Sequence, residues 1–290
     1  MADRNRIMNH RTKILLLFNN SGREYVARID SGARRTCGSS GFTAQMDNAF
    51  VSGSAIPELL QDETIGGVIL TPPYSDDRHA LGLIEARGVP YVRIAPMLDM
   101  DRGSTVTIDE YDAARAITQY LIDKGHRRIA FMRGPDFQLV SMRRYNGYAN
   151  ALGASRLRVD QTLVAQGDFS RESGREQAAK LFAARPTAIF ASNDEMAAGI
   201  IDAARAARIA VPGQISVVGY DDNAVAKTTA PRLTTVRQPL EEMGEMAARL
   251  LVDAIRTGSR GAVHKIIPFE VIERESVAAL PEPQDDRLSA

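Results

Sequence analysis

One pattern recurs along this chain and restricts its fold more than any other. A short apolar run stops at small polar residues and turns straight into a helical pattern. Thr187-Ala188-Ile189-Phe190-Ala191 ends in Ser192-Asn193-Asp194 and continues as Glu195-Met196-Ala197-Ala198-Gly199. A continuous apolar run of this length suits a parallel strand buried on both faces, and Asn or Asp caps the next helix by accepting a backbone N–H. Ile215-Ser216-Val217-Val218-Gly219 repeats the form and ends in Tyr220-Asp221-Asp222. In open α/β sheets small ligands sit beyond the carboxyl ends of the strands, so the polar residues at these two ends are candidate ligand groups. The plainer reading makes Asp194 a cap and Asn193 a turn residue, and the pattern alone leaves both open. A carboxylate and an amide beside an aromatic ring suit a polyhydroxylated ligand, whose hydroxyls both donate and accept and whose apolar face stacks on rings.

The same alternation runs from the start of the chain. Lys13 to Phe18 reads as a strand ending in Asn19-Asn20-Ser21-Gly22, Tyr25 to Cys37 as a helix, Phe42 to Met46 as a weaker strand, and Ile56 to Gln61 as a helix. Gly66 to Thr71 is a strand stopped by Pro72-Pro73-Tyr74, His79 to Arg87 a helix closed by Gly88, and Pro90 to Ile94 the next strand. Strands alternating with helices imply a parallel sheet with right-handed crossovers, so a first lobe closes near residue 107, after a linker-like Met97 to Ser104. A second set follows. Helices are expected over Asp109–Lys124, Arg143–Leu152, Ser170–Ala184 and Leu240–Arg256, and strands over Ile129–Met132, Thr162–Ala165 and Ile266–Ile272.

With 290 residues the chain is long enough for two lobes. Lys plus Arg and Asp plus Glu both number 36, so no global basic excess draws the chain to nucleic acid or an anionic membrane. The lone Cys37 excludes an internal disulfide, and His10, His79, His126 and His264 share no ligand spacing, so no metal and no cofactor is expected. No apolar run reaches the ~20 residues of a membrane span, and the polar Met1 to His10 has no signal-peptide core after it, which makes the chain as given cytoplasmic.

Four segments together carry a family resemblance: Gly125-His126-Arg127-Arg128-Ile129-Ala130-Phe131, Pro186 to Asp194, Ile215 to Asp222, and Leu233-Thr234-Thr235-Val236-Arg237-Gln238-Pro239. In order and spacing they closely resemble the effector-binding core of the LacI/GalR transcription repressors, over roughly residues 13 to 280. The resemblance implies an α/β protein of two Rossmann-like lobes with parallel sheets joined by three crossover strands, a periplasmic-binding-protein-like fold of type I. It places the crossovers near Thr107, Gln238 and Pro268 and returns the Leu240–Arg256 helix to the first lobe. The expected division is therefore a residual linker 1–12, an N-terminal lobe 13–107 plus 239–268, a C-terminal lobe 108–238 plus 269–280, and a flexible tail 281–290.

Residue by residue, the resemblance makes Asn193 and Asp221 partners for ligand hydroxyls. It gives Arg144, ten residues after Gly134, the role of gripping ligand oxygens with its planar fork, and Phe169 that of a ring packed on the effector. Gln238 would face the cleft from a crossover, and Asn20, Tyr25 and Tyr74 would join from the first lobe by their places after strands. Where many relatives carry an acidic residue after the fourth strand this chain has Ala95-Pro96, which points to a less polar or differently substituted effector. Only Met1 to Arg11 precede the first strand, too few for a helix-turn-helix. The expectation is the effector-sensing and dimerisation core of a repressor. It would take a sugar or glycoside between its lobes, form a homodimer, and reach operator DNA only through a helix-turn-helix not present here. A solute-binding protein of a sugar transporter is the alternative. An enzyme is not expected, since no nucleophile has a paired base and no phosphate-binding glycine loop follows a strand.

Overall fold

The computed structural model describes residues 12–19, 23–48 and 56–280. In chain order the first elements are β1 (Lys13–Leu17), α1 (Arg23–Ser39), β2 (Thr43–Asp47), α2 (Ile56–Leu59), β3 (Ile65–Leu70), a 3-10 turn at Tyr74–Asp76, α3 (Arg78–Ala86), β4 (Tyr91–Ile94) and β5 (Ser104–Thr107). There follow α4 (Glu110–Asp123), β6 (Ile129–Arg133), α5 (Leu139–Ala154), β7 (Val164–Gln166), α6 (Arg171–Ala183), β8 (Ala188–Ala191), α7 (Asp194–Ala206), β9 (Ser216–Asp221), α8 (Ala224–Thr228) and β10 (Thr234–Arg237). The chain ends with α9 (Leu240–Thr257), β11 (His264–Ile266) and β12 (Glu270–Ile272). None of the described helices is long and apolar enough to cross a membrane.

The chain divides into two compact units, one of residues 1–109 and 239–268 and the other of 110–238 and 269–290. In the first unit six parallel strands lie in the order β11-β5-β4-β3-β1-β2. The central strand β3 is buried along its whole length, and its Val68 and Leu70 join Leu15, Leu17, Leu81 and Ile84 in a core. Helix α9 lies against α1 so closely that a Cβ on Gly32 would stand 1.9 Å from the Glu241 carbonyl oxygen, and one on Gly244 2.0 Å from that of Ile29. Two glycines let the helix backbones meet, and Arg28 seals the crossing with two hydrogen bonds to Glu241. Cys37 on α1 is fully buried, and burial followed by the nearby Asp30 charge pushes its thiol up to about 11, so it packs as a small apolar side chain.

The second unit has the order β12-β10-β9-β8-β6-β7, parallel throughout except for β12, which runs antiparallel to β10. Parallel neighbours end on the same side. The carboxyl ends of β6, β8, β9 and β10 therefore stand side by side, and the residues just past them are Gly134, Ser192-Asn193, Asp222 and Gln238.

The single strand expected over Ile266–Ile272 is two: β11 pairs with β5 in the first unit and β12 with β10 in the second. Pro268 between them has no N–H to give a ladder, so pairing stops there. Helix α5 starts at Leu139 rather than Arg143, a turn earlier than expected. Met97 to Ser104, which reads as a linker, is held inside the first unit. The buried guanidinium of Arg93 donates to the carbonyls of Leu98, Asp99 and Arg102 and so closes this loop onto β4. The tail 281–290 lies outside the described residues.

Candidate functional site

Asn193, not Asp194, caps α7. Its backbone is extended, its side-chain oxygen accepts from Met196 N at 2.9 Å, and its amide nitrogen donates to the Phe169 carbonyl at 2.9 Å. A side-chain amide offers two N–H donors and two lone pairs, so each end keeps capacity for one further partner. Asp194, the first helical residue, is fully buried. One oxygen accepts from Thr235 Oγ1 at 2.6 Å and the other from Asn223 N at 2.8 Å. Burial, and next the charge of Asp221, holds this carboxyl well above the usual carboxylate range. It is a structural peg under the strand ends, out of reach of a ligand.

Arg144 on α5 is 4% exposed, with its head lying under the strand ends. Its Nε donates to Glu110 Oε2 at 2.8 Å, Nη2 to Glu110 Oε1 at 3.4 Å, and Nη1 to the Ser192 carbonyl at 2.6 Å. The guanidinium carbon lies 3.8 Å from the centre of the Tyr220 ring, a stacked cation–π contact, and Tyr220 in turn donates to Glu110 Oε2 at 2.7 Å. Burial works against the charge of Arg144, and Glu110, Tyr220 and Asp221 outweigh it, so the group stays a cation. Because Tyr220 is fully buried beneath this cation, it cannot be the ring that stacks on a ligand.

Asp221 ends β9 with φ of 113°, and Asp222 follows at φ 55°. The strand therefore does not continue through the pair, and left-handed backbone rather than strand alternation separates their side chains. Asp221, 6% exposed, accepts from Gln238 Nε2 at 2.7 Å and lies 3.9 Å from Arg144 Nη1. Asp222 turns to Arg237 at 2.8 Å and to Arg274, with Lys227 at 4.0 Å. Burial raises its carboxyl, but the hydrogen bonds from Arg237 and Arg274 outweigh burial and hold it below the usual range. It ties β9 to β10 and to the segment after β12, and is committed there. Asp221 and Asp222 are thus not poised together as general acid and base.

Phe169, half-buried, sits between β7 and α6 with φ of 70°. Its ring lies where a side chain at position 134 would go: a Cβ on Gly134 would stand 2.2 Å from the ring. The Arg144 guanidinium carbon is 5.9 Å from the ring centre. The second unit thus gathers Arg144, Phe169, Asn193, Asp221 and Gln238 at one edge of one sheet. The remaining expected residues belong to the first unit. Tyr74, half-buried after β3, packs against that unit's core, and burial pushes its hydroxyl up. Tyr25 is half-buried on α1, and Asn20 lies outside the described residues. Among the described residues no group of three His, Cys, Asp or Glu is placed to hold a metal ion.

Two participants escaped the sequence reading. Glu110 looks like the ordinary acid of a helix first turn, and Tyr220 like a ligand platform. What could have flagged Glu110 is that it enters an otherwise apolar helix face, with Ala113, Ala114 and Ile117, in a helix with no other buried charge.

Comparison with known proteins bears on this geometry. The family described as periplasmic binding protein-like domain matches residues 118–277. The transcriptional regulator CelR of Thermobifida fusca is 38% identical over 221 residues, which cover 75% of this chain and 65% of that protein. The transcriptional repressor PurR of Proteus mirabilis is 32% identical over 287 residues, 94% of this chain and 82% of the relative. Among solved structures, a CelR–cellobiose complex superposes with a TM-score of 0.85 at 31% identity, covering 91% of this chain and 84% of that one. A LacI family regulator from Mycobacterium smegmatis superposes with 0.80 at 26% identity, over 92% and 99% of the two chains. These relatives are regulators of transcription, not enzymes, and they do not favour a transporter's binding protein. With a relative 32% identical over 94% of its length and a fold that superposes on a solved LacI family regulator, the chain belongs to the LacI family of transcriptional regulators.

Proposed function

We propose that this chain is the effector-sensing part of a LacI-type repressor. Its effector is a carbohydrate or glycoside with a gluco-configured ring, held at the carboxyl edge of the second unit's sheet. The observation that carries this reading is the state of Arg144. A guanidinium has five N–H groups, and among the described residues three of them have protein acceptors. The remaining donors, with Asp221 beside them at 3.9 Å, give a cation and an anion next to each other. Vicinal hydroxyls fit such a pair, since one accepts from the guanidinium while its neighbour donates to the carboxylate. Asn193 and Gln238 add amide groups, and Phe169 adds the ring against which an apolar sugar face packs. The relative solved with cellobiose supports the ligand class.

The effector changes operator affinity only as far as it binds two conformations of the repressor differently. The protein acts as a homodimer, with DNA read by helix-turn-helix heads. Thermal unfolding against cellobiose, maltose and glucose tests the reading. Ligand at 100 times its dissociation constant adds roughly 2.7 kcal/mol and raises the midpoint by several degrees. A flat response to all three sugars, confirmed by calorimetric titration, would reject a sugar effector of this type.

A further inference from the structure

Three residues that border one small volume suggest a ligand contact that neither the family resemblance nor the geometry above assigns. Ser141 on α5 is 1% exposed, and its Oγ finds no hydrogen-bond partner among the described residues. Burying a hydroxyl without a partner is unfavourable, and a helical serine ordinarily avoids this by bonding the carbonyl one turn back. This one instead lies beside Gly134. A Cβ on Gly134 would stand 2.7 Å from Ser141 Oγ and 2.2 Å from two carbons of the Phe169 ring. The serine hydroxyl and the ring therefore meet over the same bare glycine at the end of β6. Ser141 also precedes Arg144 by three positions, which sets both side chains on one face of α5.

We propose that Ser141 is a specificity-determining ligand contact of the site described above, a proposal that rests on the sugar-sensing reading. The Phe169 ring covers its hydroxyl, and a ligand hydroxyl entering beside Arg144 takes the place that the ring now fills. The Phe169 backbone is fixed through the carbonyl that accepts from Asn193. Rotation of the ring about its own side-chain bonds uncovers Ser141 while leaving that backbone bond in place. The ligand hydroxyl then donates to or accepts from Ser141 Oγ and relieves the unmade bond.

Ser141→Ala separates this role from a structural one, because the two predict opposite signs. Alanine is the better helix former and removes an unpartnered hydroxyl, so the thermal midpoint of the unliganded variant stays or rises. Affinity for cellobiose, measured by calorimetry on the whole chain, falls about tenfold, the cost of one hydrogen bond. The series of monodeoxy cellobioses completes a double-mutant cycle: for one member of the series the wild type and Ser141→Ala bind equally, which identifies the hydroxyl. Unchanged cellobiose affinity in Ser141→Ala with binding intact in the wild type overturns the contact and leaves the sugar-sensing reading standing. A lowered midpoint with unchanged affinity also overturns it, in favour of a packing role. Failure of the wild type to bind cellobiose, maltose or glucose rejects the sugar reading and this contact with it.

Discussion

Among the described residues each unit buries one arginine, and the protein satisfies the two to different extents. Arg93 in the first unit is fully buried and spends all its N–H groups on the protein: Nε to the Ser75 carbonyl, Nη1 to those of Asp99 and Arg102, and Nη2 to Asp76 and the Leu98 carbonyl. Asp76 completes the clamp by accepting from the backbone of Met97 and Leu98. Arg144 in the second unit is almost as buried but meets one carboxylate, one carbonyl and two rings, with Asp221 just beyond hydrogen-bond distance. Burial and charge do not by themselves mark a binding arginine. What sets Arg144 apart, and supports its proposed ligand role, is the number of its donors that the described residues leave uncommitted.

The largest effect is expected from Arg93→Met. It strands Asp76 and four carbonyls and should cost roughly 3–5 kcal/mol in urea unfolding, as when one partner of a buried pair is removed. A cost below about 1 kcal/mol would show that the loop does not depend on the clamp. Arg144→Met comes next. It should abolish sugar binding, by more than about 100-fold, and destabilise by roughly 2–3 kcal/mol because Glu110 is left buried without its guanidinium partner. Adding Glu110→Gln to that variant should recover much of the stability and none of the binding, which separates the ligand role from the structural one. If the double variant binds cellobiose as the wild type does, Arg144 is no different in kind from Arg93.

Asp194 sharpens the comparison from beneath the site. Its folded carboxyl lies above its unfolded value near 3.9. The stability it contributes is therefore complete below about pH 4 and is lost as pH rises through the folded value. Asp194→Asn keeps an acceptor for Asn223 N and a partner for Thr235 without a charge, so its midpoint should exceed the wild type's at pH 7.5 by about 1 kcal/mol, or roughly 2–4 °C. The two should converge near pH 4. A midpoint lower than the wild type's at pH 7.5 would mean that the carboxyl is ionised there and needed as an anion. The smallest effect belongs to an arginine with charge but no burial. Arg175 meets Glu172 at 2.6 Å with both side chains about half exposed, and Arg175→Ala should change stability by less than about 0.5 kcal/mol in the same assay.

Much of this molecule is legible in the sequence because its signals are local. An apolar run long enough for a buried strand and an Asn or Asp at its end are properties of a few adjacent residues, and the strand ends at Asn193 and Asp221 follow from them. The role of Asn193 as cap, with Asp194 as buried peg, was not legible, since both residue types cap and both sit at the strand end. The division of Ile266–Ile272 into two strands depended on which sheet each half joins. That pairing is made with residues far away in sequence, β5 for one half and β10 for the other.

The alternation of strands and helices, the family, and the set of residues at the carboxyl edge of the second sheet are all written in the order of neighbouring residues. Short-range periodicity and the four spaced motifs suffice for that. How those residues are spent emerges only on packing: Glu110 and Tyr220 hold Arg144 from below, Asp222 belongs to Arg237 and Arg274, and Ser141 has no partner among the described residues beside Phe169. A residue's type fixes how many hydrogen bonds it can make. Which of them the protein satisfies depends on groups brought near it by the packing of α4, α5 and the strand ends.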